Sequence, residues 1–204
     1  MLYLFHEMSH LALKPWMKSS SLYSKLIRHP LNPMSYIPGT ASVAAAHDVV
    51  RDLTRRYPKP GFDLPHTVCD GEDVAVTECI VKRLPFAQLK HFQRNVDRPN
   101  DPKLLIVAPL SGHFPSLLRE TVREMLPDHD VYITDWRNAS KVPLTQGDFG
   151  LDDYVDYVID FIDHLGPDTH VLAICQPVVA ALAAVSVMAE DKHPSTPRSL
   201  SLIA

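Results

Sequence analysis

The stretch THVLAICQPVVAALAA (residues 169–184) decides the fold class of this chain. Its first six residues form a short apolar and partly β-branched run, which is typical of a buried strand. The apolar, alanine-rich segment 178–189 predicts a buried helix. Only Cys175, Gln176 and Pro177 separate the two elements. A strand that turns directly into a helix, with a nucleophilic side chain at the turn, is the pattern of a nucleophile elbow.

The local chemistry suits a thiol at this turn. The free N–H groups and the dipole at a helix N-terminus favour a thiolate and can bind an oxyanion. Pro177 fits the first helical position because it lacks an N–H and has a fixed φ. Ala173 and Pro177 stand where the G-x-S-x-G box has glycines, and proline is the larger departure. The competing interpretation makes Cys175 a buried core cysteine.

Composition sets broad limits on the protein class. The chain has 204 residues, 46% of them hydrophobic and 22% charged, enough for one domain with a sizeable core. The net charge of −4 is spread along the chain, and no basic stripe predicts nucleic-acid binding.

Cysteine usage and apolar runs predict the compartment. Cys69, Cys79 and Cys175 form no close-spaced metal pattern, and their odd number argues weakly against a disulfide framework. The first residues include Glu7 and no basic leader, and segment 178–189 is too short to span a bilayer. We expect a cytoplasmic protein with no transmembrane segment, no metal and no cofactor.

The periodicity of the chain predicts two parts. Residues 1–60 are expected to be an N-terminal helical extension, with an amphipathic helix over 1–27, a proline-rich linker over 29–39 and a helix after Thr40. From residue 61 to 204, strands alternate with helices. The predicted strands are 74–82, 103–108, 131–134, 169–174 and 199–204, and the predicted helices are 115–126, 151–165 and 178–189. This alternation predicts an α/β fold, a mostly parallel sheet with flanking helices.

Ligand sites in such sheets lie at the carboxyl ends of the strands. In an α/β-hydrolase, the oxyanion N–H groups come from the residue after the nucleophile and from the loop after an earlier strand. Here the first is Gln176, and the second is either Leu110 or Ser111. His113 and Asp135 are expected at the same edge as candidate pocket residues. As alternatives, His113 is an ordinary loop histidine and Asp135 a turn-capping carboxylate.

Four segments together resemble a known family: HPLNPMSYIPG (29–39), APLSGHF (108–114), LPDHDVYITDW (126–136) and GPDTHVLAICQP (166–177). They are similar to the intracellular polyhydroxyalkanoate (polyhydroxybutyrate) depolymerases of bacteria. The WRN at 136–138 also resembles the polyhydroxyalkanoate synthases, although their glycine-flanked box is absent. The resemblance implies an α/β-hydrolase fold and a cysteine esterase in which Cys175 attacks the ester carbonyl.

The same resemblance implies partners and a location. The substrate would be polyhydroxyalkanoate polymer or 3-hydroxybutyrate oligomers, and the protein would work in the cytoplasm at the surface of storage granules. A histidine oriented by an aspartate would act as the base.

The acid and the base are expected beyond residue 204. In this fold they follow the nucleophile in the chain, but after Cys175 the candidates Glu190, Asp191 and His193 lie past the far end of a helix of about 13 residues. At 1.5 Å per residue they are about 20 Å from the thiol, whereas catalytic hydrogen bonds need about 3 Å. We therefore expect a C-terminally truncated α/β-hydrolase core over 61–204, with little or no turnover by this chain alone.

Two alternatives from other classes stay open. The chain could be a non-catalytic granule-binding or degenerate hydrolase fragment, with the 1–27 helix as its contact surface. It could also be a triad glutamine amidotransferase, which would need a downstream His-x-Glu and a glutamine pocket.

Overall fold

The computed structural model describes residues 8, 32–33, 37, 39–54, 59–110 and 114–204. It divides into two units, residues 1–58 and 59–204. In the first unit, the helix expected after Thr40 is present as α1 (Thr40–Thr54). The helix predicted over 1–27 lies outside the described residues except for Met8, and so does most of the 29–39 linker.

The described part of the second unit is built on a seven-stranded sheet. Along the chain its strands are β1 (His66–Cys69), β2 (Glu72–Arg83), β3 (Ala87–Arg94), β4 (Lys103–Val107), β5 (Asp130–Trp136), β6 (Thr169–Ile174) and β7 (Ser199–Ile203). In space their order is β1-β2-β3-β5-β4-β6-β7. Strands β5, β4, β6 and β7 run parallel, whereas β1, β2 and β3 form an antiparallel meander that joins the edge of β5.

The meander differs from the expectation of a single strand at 74–82. A hairpin turn at Asp70–Gly71, both with positive φ, pairs β2 with the unpredicted strand β1. Strand β3 pairs with both β2 and β5, yet its sequence AQLKHFQR carries Gln, Lys, His and Arg. It was missed because tertiary pairing, not the polarity of a short segment, determines whether that segment becomes a strand.

Helices cover both faces of the sheet. On one face, α3 (Leu151–Leu165) and α4 (Val178–Glu190) pack on strand residues such as Leu105, Val107 and Ala173. On the other face, α2 (Arg119–Met125) packs on a cluster that includes Ile106 and Ile133. Burial on both faces explains why the central strands are continuous apolar runs and do not alternate with polar residues.

Two predicted elements have different bounds in the structure. The helix expected over 115–126 begins as a 3-10 helix, Pro115–Leu118, and only then becomes α2. The strand expected over 131–134 extends over Asp130–Trp136. Asp135 was expected in the loop after that strand, and this placement was wrong: Asp135 lies inside β5 and is buried.

The fold class follows from this arrangement. The α/β fold with a mostly parallel sheet and flanking helices is confirmed. No helix in the described ranges is both long and apolar enough to cross a membrane.

A leucine truncation in the sheet tests the core assignment. Leu105 in β4 has 0% exposure, so Leu105→Ala should lower the free energy of unfolding by about 2–5 kcal/mol. Leu144, which is 94% exposed, is the matched control, and Leu144→Ala should change it by less than about 0.5 kcal/mol. Urea denaturation measures both, and equal losses would contradict the assignment.

Candidate active site

The turn between β6 and α4 has the geometry expected of an elbow. Cys175 has φ +68°, in the left-handed region that a residue with a side chain rarely adopts. Its N–H donates to the carbonyl of Ile203 in β7 at 2.6 Å, and its carbonyl accepts from the N–H of Val178 at 3.2 Å. These two hydrogen bonds hold the strained backbone from both sides.

Small and buried neighbours let the turn close. Ala173 at the end of β6 is fully buried, as is Ala181 in the first turns of α4. Pro177, the departure noted from sequence, is also buried and directly precedes α4 with helical φ and ψ. The thiol of Cys175 is exposed, so the interpretation of a buried core cysteine was wrong.

The environment of the Cys175 thiol is open. Among the described residues, no side chain or backbone group forms a hydrogen bond with its sulfur. No side chain among the described residues caps the N-terminus of α4. The positive end of the helix dipole lies at the elbow. The described residues supply an exposed thiol and a helix N-terminus, with no base in contact with the sulfur.

The backbone that leaves β4 is held next to the elbow. The N–H of Ala108 donates to Thr134 Oγ1 at 2.9 Å, and the Trp136 indole Nε1 donates to the carbonyl of Ala108 at 2.9 Å. Two residues on, the N–H of Leu110 donates to Gln176 Oε1 at 2.8 Å. The structure therefore brings Leu110 and Gln176, two predicted oxyanion residues, into direct contact. Ser111 and His113 lie outside the described residues.

Asp135 is engaged elsewhere in the sheet. Both of its carboxylate oxygens accept from Lys59 Nζ, and Oδ2 also accepts from Gln88 Nε2 at 2.9 Å. Lys90 Nζ lies 3.9 Å from the same carboxylate. A buried carboxylate held by two cations and an amide is a structural ion-pair centre. The sequence offered no signal for it, because its partners lie on different elements.

A second cysteine stands beside a histidine and an aspartate, and the sequence did not bring these residues together. Cys79 Sγ lies 3.8 Å from His91 Nδ1, and His91 Nε2 lies 2.6 Å from Asp130 Oδ1. Burial and, next, the nearby Asp130 carboxylate raise the pKa of the Cys79 thiol. Cys79 also lies within a strand, with no turn or helix N-terminus beside it. Cys79, His91 and Asp130 are therefore arranged like a catalytic triad, but the thiol is not activated.

The far end of α4 carries the remaining polar candidates. His193 Nε2 lies 3.9 Å from Asp163 Oδ1, and the His193 N–H donates to the carbonyl of Met188 at 2.8 Å. The 13 residues of α4 separate this group from Cys175 by about 20 Å. In the described ranges, no three His, Cys, Asp or Glu residues are arranged to hold a metal ion.

Comparisons with known proteins give likenesses in structure only. No family model matches the chain, and no curated protein matches it. A candidate lipase (lip1) from Acinetobacter baumannii AYE is 16% identical with a TM-score of 0.45, covering 63% of this chain and 40% of its own. A candidate esterase from Staphylococcus aureus is 12% identical with a TM-score of 0.45, and the match covers 88% of this chain and 55% of the esterase. Naproxen esterase (carboxylesterase NP) from Bacillus subtilis is 14% identical with a TM-score of 0.41, and the match covers 62% of this chain and 42% of that esterase.

The class that the fold defines is α/β, with a mostly parallel sheet, flanking helices and a sharp strand-to-helix turn after β6. This chain spans between 40% and 55% of the length of the three solved chains described above.

Glycine and alanine substitutions test the strained backbone at the elbow. Alanine at φ +68° keeps the steric cost of the left-handed region, whereas glycine does not. Cys175→Gly should therefore be more stable to urea than Cys175→Ala, by about 1 kcal/mol. At Ser186, inside α4, the order should reverse, because glycine destabilises a helix by about 1 kcal/mol relative to alanine. The same order at both positions would contradict the elbow geometry.

Acid titration tests the cluster around Asp130. Burial acts to raise the pKa of the Asp130 carboxyl, but the hydrogen bond and charge of His91, with a hydrogen bond from Tyr132, outweigh it and place that pKa below its ordinary value. Asp130 therefore stabilises the fold above about pH 4, and this contribution is lost as the pH falls through the lowered pKa.

Asp130→Asn should accordingly reduce the free energy of unfolding at pH 7, and the deficit should shrink below about pH 4. Denaturant melts at a series of pH values measure it, with Asp128→Asn at an exposed carboxylate as the control for loss of charge. A deficit that stays constant down to pH 2 would show that the Asp130 carboxylate contributes no pH-dependent stability.

Proposed function

We propose that this chain carries the acyl-accepting half of a cysteine esterase, with Cys175 as the nucleophile. The observation that carries the proposal is the positive φ of Cys175 at an exposed turn between β6 and α4. A backbone strained in this way persists only where its surroundings hold it, and such positions cluster at functional sites. The esterase and lipase names of the structural neighbours are of the same reaction class.

The proposed reaction is an acyl transfer through a thioester intermediate. The Cys175 sulfur attacks the ester carbonyl carbon and gives up its proton to a base. The resulting oxyanion lies between backbone N–H donors, a C–S bond forms, and the C–O bond breaks as the alcohol leaves with a proton. Water then attacks the thioester and releases the acid, which returns the thiol.

The substrate that we propose is a 3-hydroxyalkanoate polyester or its oligomers, on the resemblance carried by segments 29–39, 108–114, 126–136 and 166–177. Exposed apolar side chains at the carboxyl edge of the sheet support a water-insoluble ester. Phe114 and Leu117 follow β4, and Val179 lies in the first turn of α4. Work at the surface of a cytoplasmic storage granule belongs to the same proposal.

The described residues include no base in contact with the Cys175 sulfur. We therefore expect acylation by an activated ester to be faster than release of the product, which also needs a base. His113 stays a base candidate from the sequence. The same observation favours a second function, a granule-binding fragment with a thiol and no turnover.

Acyl trapping tests the nucleophile. The purified chain treated with p-nitrophenyl butyrate should gain the mass of one butyryl group, mapped to the peptide that contains Cys175. Cys175→Ala should remove this adduct, and Cys79→Ala should keep it, because burial and Asp130 raise the pKa of the Cys79 thiol. An adduct on Cys79, or none on the wild type, would contradict the assignment.

A turnover assay then separates the two functions. Release of 3-hydroxybutyrate from its oligomers, absent in Cys175→Ala, supports the esterase. Sedimentation with polymer granules that survives Cys175→Ala, with no release of product, supports the binding fragment.

A further inference from the structure

The side chain of Gln176 joins the elbow to the segment that leaves β4. Its Oε1 accepts from the N–H of Leu110 at 2.8 Å. The backbone N–H of Gln176 has no hydrogen-bond partner among the described residues. Among the described residues, the N–H of Gln176 thus has no partner, whereas the N–H of Leu110, one of the two candidates for the second donor, is occupied by an amide carbonyl oxygen. This oxygen is the same type of acceptor as the carbonyl oxygen of an ester.

The backbone that leads to Leu110 is held by groups other than Gln176. Thr134 and Trp136 hold the N–H and the carbonyl of Ala108 at 2.9 Å each, and both are buried residues of β5. Pro109 follows with a fixed φ. The backbone that presents Leu110 is thus held by buried groups on the β5 side, whereas Gln176 is exposed on the elbow side. Gln176 can therefore leave without loss of the contacts that hold Ala108.

We infer that Leu110 is the second oxyanion donor, and that Gln176 Oε1 occupies in the free protein the place of the substrate carbonyl oxygen. Binding of an ester displaces the Gln176 side chain from the Leu110 N–H, and the carbonyl oxygen takes over both that N–H and the backbone N–H of Gln176. The backbone N–H of Gln176 thus binds the substrate, whereas its side chain competes with the substrate. This inference rests on the proposed function and names Leu110, one of the two candidates from the sequence, as the second donor.

The test compares two reactions of the same thiol in Gln176→Met. Methionine has a similar length but lacks the amide oxygen, so the Leu110 N–H is free. An exposed hydrogen bond is worth a few-fold in an equilibrium constant, so acylation by p-nitrophenyl butyrate should have a second-order rate constant about three- to tenfold higher. The gain should come from a lower half-saturation concentration, with the maximal rate of acylation unchanged. Alkylation by iodoacetamide forms no oxyanion, and its rate should not change.

Gln176→Glu is the matched control, because its carboxylate can still accept from the Leu110 N–H. It should give no gain in acylation. Slower or unchanged acylation in Gln176→Met would overturn the inference, as would equal changes in acylation and alkylation, which would indicate a general effect on the thiol.

Amide hydrogen exchange gives a readout that does not depend on activity. The Leu110 amide should exchange faster in Gln176→Met than in the wild type, and equal rates would overturn the inference. If the wild type shows no acyl adduct at Cys175, the proposed function fails, and the exchange rates still decide whether Gln176 occupies the Leu110 N–H.

Discussion

The hydrogen bond from the Cys175 N–H to the carbonyl of Ile203 is the contact on which the candidate site depends. It places the end of β6 in register with β7, where Ile174 pairs with Ile203, and it fixes a residue at φ +68°. This backbone conformation turns the chain from strand to helix within three residues. It also leaves the thiol exposed, and the backbone N–H of Gln176 has no hydrogen-bond partner among the described residues. The positions of the thiol and of the N–H group that we propose as an oxyanion donor thus depend on β7, the edge strand of the described sheet.

Cys79 and Cys175, the two cysteines outside the core, show that the surroundings of a thiol determine whether it can act as a nucleophile. Cys79 has the neighbours of a triad, His91 and then Asp130, yet burial and a nearby carboxylate disfavour its thiolate. Cys175 lacks such neighbours among the described residues but stands exposed at a strained turn before a helix. A nucleophile needs access and nearby oxyanion donors as well as a base. Of these two cysteines, Cys175 is the exposed one, and the oxyanion donors are proposed beside it.

Much of the parallel half of the fold could be predicted from the sequence. The apolar runs of β4, β5 and β6 are buried on both faces, and such runs carry a strong local signal. The elbow was predictable for the same reason, since a strand, three residues and an alanine-rich helix leave little alternative geometry. Strand β3 could not be found, because its polar sequence becomes a strand only by pairing with β2 and β5.

The polar contacts were beyond sequence reasoning. Asp135 was expected in a loop near the thiol, but its partners Lys59 and Gln88, distant in the chain, hold it in the sheet. The contact between Leu110 and Gln176 joins residues 66 positions apart. Such pairings are set by the arrangement of the strands, which composition and spacing do not encode.

The most direct test of the account is a crystal structure of the chain with butyraldehyde. A thiol adds reversibly to an aldehyde and forms a hemithioacetal, whose oxygen marks the place of the oxyanion. We expect a bond to Cys175 Sγ, with that oxygen accepting from the N–H groups of Leu110 and Gln176 and the Gln176 side chain displaced. A hemithioacetal oxygen directed to solvent, with Gln176 Oε1 still on the Leu110 N–H, would contradict it.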